Sequence, residues 1–223
     1  MKSSFSTSRR QERSGTTRTR LLRAAEKIFA RDGFEAAKLE EIAAEAGYTR
    51  GAFYANFSTK EDLFFALLEE EISSRIAGLE QLMQEYRESE AKLRAFREFF
   101  LSLSQDRRWS LLALEFKLFA VRHPEARARL AAMNRRLVRP RVGILEQVMK
   151  GSLSKLPASP TAVALSLSGA SNAVALEHML DRTAMPESSM KKILARYFDS
   201  LIGTDVTAES SGRMSPLSDK RPR

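Results

Sequence analysis

Residues 38–60, KLEEIAAEAGYTRGAFYANFSTK, divide into two short helical runs around a glycine. Leu39, Ile42, Ala43 and Ala46 make a small apolar stripe, and Gly47 can take the positive φ that ends it. Thr49 suits the cap of a second short helix, Arg50 to Asn56, whose Ala52, Phe53 and Phe57 must point back at a scaffold. The spacing predicts a helix-turn-helix: Lys38–Ala46, a Gly47-Tyr48 turn, then Thr49–Asn56. Its second helix is small enough for the DNA major groove, and Thr49, Arg50 and Gly51 stand at the end that would meet base edges. Tyr54, Asn56 and Lys60 lie where a hydroxyl, an amide and an ammonium could bind phosphate oxygens, and the backbone N–H groups opening the next helix also favour an anion.

Upstream, Leu22, Ala25 and Phe29 recur at helical spacing with Leu21 and Ile28 beside them, and Asp32-Gly33 supplies a stop, so a helix is expected from about Thr17 to Arg31. Three short helices then share one core. Downstream, Ser58 with Glu61 or Thr59 with Asp62 forms a capping box, opening a long helix to about Tyr86. Further helices are expected near 90–105, 108–122, 124–150, 160–181 and 187–202, with Pro124, Pro160 and Pro186 at their openings. Pro140 with Gly143 should kink the 124–150 segment or split it in two. Strand-like alternation is missing, so the fold class is all-α: a three-helix helix-turn-helix unit joined by a long helix to a larger helical part. The boundaries read as a flexible basic arm at 1–15, the helix-turn-helix unit at 16–76, a further helical domain at 77–203, and a disordered tail at 204–223.

The chain has 223 residues, 37 Lys+Arg against 28 Asp+Glu, and 43% hydrophobic content, enough for an ordinary core. Seven of the basic residues (Lys2, Arg9, Arg10, Arg13, Arg18, Arg20, Arg23) stand in the first 23 positions against Glu12 alone, a distribution that suits an anionic partner, nucleic acid first. Cysteine is absent and the histidines are His123 and His178 alone, which leaves no thiolate zinc site, no cysteine nucleophile and little for histidine chemistry. No catalytic residue, metal or cofactor is expected. The first 20 residues lack a signal-peptide core, and the uncharged stretch Thr161–Leu176 is shorter than a bilayer crossing, so the protein is expected in the cytoplasm without a membrane partner.

The run Leu21-Leu22-x-Ala24-Ala25-x-x-x-Phe29-x-x-x-Gly33, followed by Ile42-Ala43-x-x-Ala46-Gly47-Tyr48-Thr49-Arg50-Gly51-Ala52-Phe53-Tyr54-x-x-Phe57-x-x-Lys60-Glu61-x-Leu63, resembles the TetR (tetracycline-repressor-like) family of regulators over roughly residues 17–76. The resemblance implies a homodimer on double-stranded operator DNA, with 16–76 as the DNA-binding domain, 77–203 as a helical ligand-binding and dimerisation domain, and Lys38, Thr49, Arg50, Gly51, Tyr54, Asn56 and Lys60 at DNA-facing positions. Two departures stand out: Tyr48 replaces a smaller aliphatic residue, and Asn56 replaces a histidine. It also implies an effector cavity in the middle helices, where Phe96, Phe99, Phe100, Trp109, Phe116, Phe119 and Met133 concentrate. Trp109, Glu115, Phe116, Phe119, Met133, Asn134 and His178 are the candidate contacts to an apolar small molecule. Arg135, Arg136, Arg139 and Arg141 read as a solvated face.

The small residues of 161–176 allow close helix approach, and the last helix carries an apolar stripe longer than one subunit needs. Ala170, Ala173, Met190, Leu194, Tyr197, Phe198 and Leu201 are therefore the expected dimer seam of a four-helix bundle. The function that follows is a dimeric repressor released from its operator by a small-molecule effector. The alternative is a helical small-molecule-binding protein or enzyme that keeps the helix-turn-helix only as scaffold.

Overall fold

A computed structural model describes residues 4–150 and 156–203, with side chains for 15–150 and 156–203. Among the described residues there are nine helices and no strand. They are α1 (Ser4–Ala36), α2 (Leu39–Glu45), α3 (Arg50–Tyr54), α4 (Lys60–Glu85), α5 (Ser89–Leu103), α6 (Arg107–Arg122), α7 (Pro124–Val148), α8 (Pro160–Leu180) and α9 (Glu187–Ile202). The backbone of α1 is helical from Ser4, well ahead of the expected start at Thr17. The arm's Lys2 and the tail at 204–223 lie outside the described residues, as do the side chains of Arg9, Arg10 and Arg13. No described helix is long and apolar enough to cross a membrane.

Helix ends follow the local chemistry. Gly33 leaves helical geometry at φ 78°, ψ 169°, and Gly47 takes φ 77° between α2 and α3. Thr49 Oγ1 accepts from Ala52 N–H and Thr59 Oγ1 from Asp62 N–H, so of the two possible boxes at α4 the Thr59–Asp62 one forms. Asp106 caps α6 in the same way through Trp109 N–H at 3.0 Å.

At Pro140 the helix does not split into two pieces. Helix α7 runs unbroken from Pro124 to Val148 with the proline inside it. Proline removes one backbone donor, but Leu137 and Val138 before it and Ile144 and Leu145 after it are buried, and this packing on both sides keeps the two halves one continuous helix.

Two cores result. The first joins the N-terminal helices to α4, α6 and α7: Phe34 stacks on Phe64 at 4.5 Å and meets Phe119 at 4.4 Å, and Phe116 lies 4.6 Å from Phe64 and 4.7 Å from Phe65. The second, around Phe96, Phe100, Leu145, Leu167, Leu194 and Phe198, holds α5, α7, α8 and α9 together. The N-terminal helices and the C-terminal helical part are thus fused through aromatic packing. Ion pairs reinforce the joint: Arg108 with Glu26 at 3.0 Å, Arg129 with Asp62 at 2.8 Å, and Arg136 with Glu69.

Candidate nucleic-acid interface

Helix α3 is five residues long and carries a buried side and a bare side. Phe53, fully buried, and Phe57 fix it to the scaffold, while Arg18 stacks over the Phe57 ring at 4.5 Å. Thr49, Arg50, Gly51 and Tyr54 all face outward. Tyr54 is 46% exposed, costly for a large ring unless something covers it. A methyl group on Gly51 would meet only Thr49 Oγ1, at 3.7 Å. Internal packing therefore does not demand this glycine, which weakens a helix by about 1 kcal/mol relative to alanine, and the bare backbone there suits close approach by an external partner.

Arg50 is oriented rather than loose. Its guanidinium pairs with Glu40 on α2 at 2.9 Å, donates to Tyr54 Oη at 3.2 Å and lies 5.5 Å from that ring. Both charged groups are well exposed, so the pair exchanges readily for a phosphate or a base edge. Helix α2 is held to α1 by Lys27–Glu45 at 2.8 Å, and Lys38 at its start is extended and exposed.

Two expected phosphate contacts are engaged elsewhere. Lys60 turns inward: Nζ donates to the carbonyls of Phe34, Glu35 and Ala37 at 2.8, 3.0 and 3.1 Å, and sits 4.6 Å from the Phe34 ring. An ammonium has three donors and all three are used, so Lys60 closes the end of α1 instead of facing phosphate. The Asn56 amide donates back to the Ala52 carbonyl at 2.8 Å, within its own turn. The opening of α4 is also less inviting to an anion than expected, because Glu61 and Asp62 already occupy its first turn.

The candidate effector contacts do not gather. Phe116, Phe119 and Met133 are buried in the core at the joint between the two units. Trp109 lies under the Arg75 guanidinium at 4.6 Å, and Arg75 pairs with Asp106 at 2.5 Å. Burial works to raise the Asp106 pKa, but the Trp109 N–H and Arg75 outweigh it and hold the carboxyl below its ordinary value. Glu115 Oε1 stands 2.7 Å from where a Cβ on Gly33 would be. Asn134 is half-buried, and His178 Nδ1 meets the Met185 carbonyl at 2.7 Å, fastening the α8–α9 connection. Aromatic spacing alone could not separate core from pocket. Among the described residues no group of three or more His, Cys, Asp or Glu could hold a metal.

An apolar cavity of about 60 Å³ does exist between α4, α5, α7 and α8, bounded mainly by Leu79, Phe96, Phe99, Phe100, Leu145 and Leu167. Arg141 and Ser168 also face it. Arg141 was expected on a solvated face with Arg135, Arg136 and Arg139; those three are exposed, but Arg141 is drawn in between α7 and α8.

The dimer seam also needs correcting. Met190, Leu194 and Phe198 are at most 1% exposed within a single chain, because α9 packs on its own α5 and α8. The apolar groups left open lie elsewhere on the same helices: Leu165 at 41% and Leu180 at 71% exposure, with exposed Ala173 between them on α8, and Ile193 at 44% on α9. Ala170, Tyr197 and Leu201 are half-buried against the chain's own core.

Residues 21–67 match the profile of the bacterial regulatory proteins of the tetR family, and residues 89–203 that of the C-terminal part of BetI-type transcriptional repressors. The chain is 34% identical over 91 residues to the HTH-type transcriptional activator FasR of Mycolicibacterium smegmatis, a stretch covering 41% of this chain and 40% of that protein. The match therefore spans less than half of FasR. Similar folds include the regulator FadR from Bacillus subtilis in complex with stearoyl-CoA (TM-score 0.61, 17% identity, 81% of this chain and 96% of that one). A regulator from Saccharomonospora viridis in complex with choline is also similar (TM-score 0.64, 16% identity, 82% and 95%). With a capped five-residue helix presented on a fused helical scaffold, and with both halves of the chain matched in order, the protein belongs to the tetR family of bacterial regulatory proteins.

Proposed function

We propose that the protein is a cytoplasmic, dimeric transcriptional repressor that leaves its operator when a small molecule enters the effector domain. The outward set Thr49, Arg50, Gly51 and Tyr54 on a helix anchored by Phe53 carries this reading. The match of residues 89–203 to BetI-type repressors supports repression as the direction of control. The open apolar stripe Leu165, Ala173 and Leu180 on α8, with Ile193 on α9, supports pairing of two copies. Two recognition helices spaced about 34–36 Å apart would read a near-palindromic site, and an effector would lower affinity by a coupling of about 1–3 kcal/mol.

Selection of binding sequences from random duplex DNA tests the reading, followed by base-substitution titrations at fixed salt. Inverted half-sites are expected. Arg50→Ala should change base preference, whereas Tyr54→Phe should weaken all sequences alike. A protein that enriched no sequence, or an Arg50→Ala variant with an unchanged preference profile, would refute the assignment.

A further inference from the structure

Helix α2 carries negative charge beside a surface that has to meet phosphate. Glu40, Glu41 and Glu45 are all exposed, and each is matched to its own cation: Glu45 to Lys27 at 2.8 Å, Glu41 to Arg31 at 3.7 Å, and Glu40 to Arg50 at 2.9 Å. Lys27 and Arg31 stand on α1, so of the three carboxylates Glu40 is the one that reaches the recognition helix. The Arg50 guanidinium is held between two helices: Nη1 lies against Glu40 Oε1, and Nη2 donates at 3.2 Å to Tyr54 Oη, one turn along α3. A guanidinium has five N–H donors, and these two partners leave at least three of them for a base edge. Its charge is affected more, because a carboxylate at contact distance cancels much of it as felt by a more distant phosphate.

The two ways an arginine meets DNA respond differently to such a neighbour. Attraction to phosphate is Coulombic and independent of sequence, so it follows the net charge. Exchanging Glu40 for a phosphate frees a carboxylate beside the DNA and brings no net attraction. Readout of guanine O6 and N7 in the major groove depends instead on where two N–H groups point, which the Glu40 carboxylate and the Tyr54 hydroxyl fix. We propose that Glu40 is a specificity-determining residue of the DNA-binding surface, acting through Arg50 as a positioning residue. Its carboxylate mutes the pull of Arg50 on any phosphate while holding the guanidinium in register for a guanine edge. Indiscriminate duplex therefore loses more than the operator does. The proposal rests on the regulator reading above and names the residue that sets its discrimination.

Glu40→Gln keeps an oxygen that can accept from Arg50 and removes only the charge. The full-length protein is titrated with its selected operator and with a scrambled duplex of equal length, over a range of salt. The scrambled duplex should bind Glu40→Gln about three- to fivefold more tightly than it binds the parent, the scale of an exposed ion pair, with a log–log salt slope steeper by up to about 0.9. On the operator the gain in attraction is offset by a looser hold on the guanidinium, so the change should stay below about twofold and the ratio between the two DNAs should fall. Glu41→Gln removes a neighbouring carboxylate whose partner is on α1, and should shift both DNAs by one common factor. Glu40→Ala loses the holding contact as well as the charge, and should flatten base preference at the pair that Arg50 reads. In an Arg50→Ala background, Glu40→Gln should leave the ratio alone, and a ratio that still falls there overturns the route through Arg50. Equal shifts on both DNAs make Glu40 an ordinary repulsive charge and overturn the proposal. Parental affinities with a lowered melting temperature do the same, since they mark a staple between α2 and α3 and nothing more. A parent that prefers no sequence defeats the regulator reading itself, whereas a parent and a Glu40→Gln variant with the same preference for the operator defeat only this proposal.

Discussion

Replacing Lys60 with methionine keeps the aliphatic stem and deletes the ammonium, which separates its two conceivable roles. In the native fold Nζ holds the carbonyls of Phe34, Glu35 and Ala37 at 2.8, 3.0 and 3.1 Å, just past the break at Gly33. Helix ends leave carbonyls without intrahelical partners, and here one side chain from α4 serves three of them. A hydrogen bond from a charged donor contributes about 1.5–3 kcal/mol, but the bond to Glu35 is exposed and water replaces much of it. The two part-buried bonds therefore dominate, and the contact with the Phe34 ring adds about 0.5–1 kcal/mol. Since the three bonds share one ammonium, the expected loss is about 2–4 kcal/mol, or roughly 5–12 °C in melting temperature for a chain of this size. Lys38→Met is the comparison: Lys38 is exposed, so its loss should change stability by less than about 0.5 kcal/mol. If Lys38 meets phosphate, that loss should also reduce the log–log salt slope of DNA binding by about 0.9. Thermal denaturation and operator titration on both variants decide the matter. Should Lys60→Met melt with the parent and lose about 0.9 from the slope, Lys60 would be a phosphate contact and the capping argument would fail.

Gly33→Ala should cost about 1–3 kcal/mol from its φ of 78° and ψ of 169°, a region open almost only to glycine, and Glu115 must also swing away. Adding Glu115→Ala should relieve the crowding but leave the backbone strain, so full rescue of stability would contradict the strain. For the dimer, Leu165→Glu with Ile193→Glu should give folded monomers by sedimentation and circular dichroism, whereas Leu194→Glu should unfold the effector domain; a folded Leu194→Glu monomer would restore the original seam. Asp106→Asn keeps the helix cap but removes the charge facing Arg75. Because the folded Asp106 pKa is lowered, its contribution is complete above the unfolded value of about 3.9 and fades as pH falls through the folded one. Parent and variant should therefore differ in stability at pH 7 and converge as the medium is acidified below about pH 4, and a gap constant over that range would refute the ion pair as its source.

The helix-turn-helix was legible because its signals are local. A cap at Thr49, a positive φ at Gly47 and apolar spacings of three and four each act within one or two turns of chain. Helical phase could be read as well, since Met190, Leu194 and Phe198 do lie on a buried face. What periodicity cannot say is which surface covers that face, and here it is the chain's own α5 and α8. The inward hydrogen bonds of Lys60 were not legible for a related reason: its partners are 23 to 26 residues away, and nothing in the sequence near Lys60 reports them. Arg141 is different, because a signal was present. It stands two residues beyond Arg139, about 200° around a helix, so a stretch that exposes Arg135, Arg136 and Arg139 turns Arg141 the other way. Grouping the four by proximity in sequence obscured that rotation.

How an effector held among the C-terminal helices acts on the DNA-binding surface depends on which helix touches both. An effector shifts an equilibrium only by the difference in its affinity for two arrangements, so some element at its site must also contact the N-terminal unit. Helix α7 meets this condition. Beyond Pro140 its Leu145 lines the apolar cavity, and before Pro140 its Arg129 pairs with Asp62 in the first turn of α4 and its Arg136 with Glu69. Both pairs are well exposed and exchange readily with water, so they transmit a displacement without locking it. The other side of the joint is stiffer, because Phe34, Phe64, Phe116 and Phe119 interlock α1, α4 and α6 and the Arg108–Glu26 pair also ties α6 to α1. Pro140 lies between the two working halves of α7, at the turn already missing one backbone donor, where bending costs least. On the repressor reading proposed above, a displacement of α7 would reach the start of α4 through these two exposed pairs, with the aromatic joint as its fixed point.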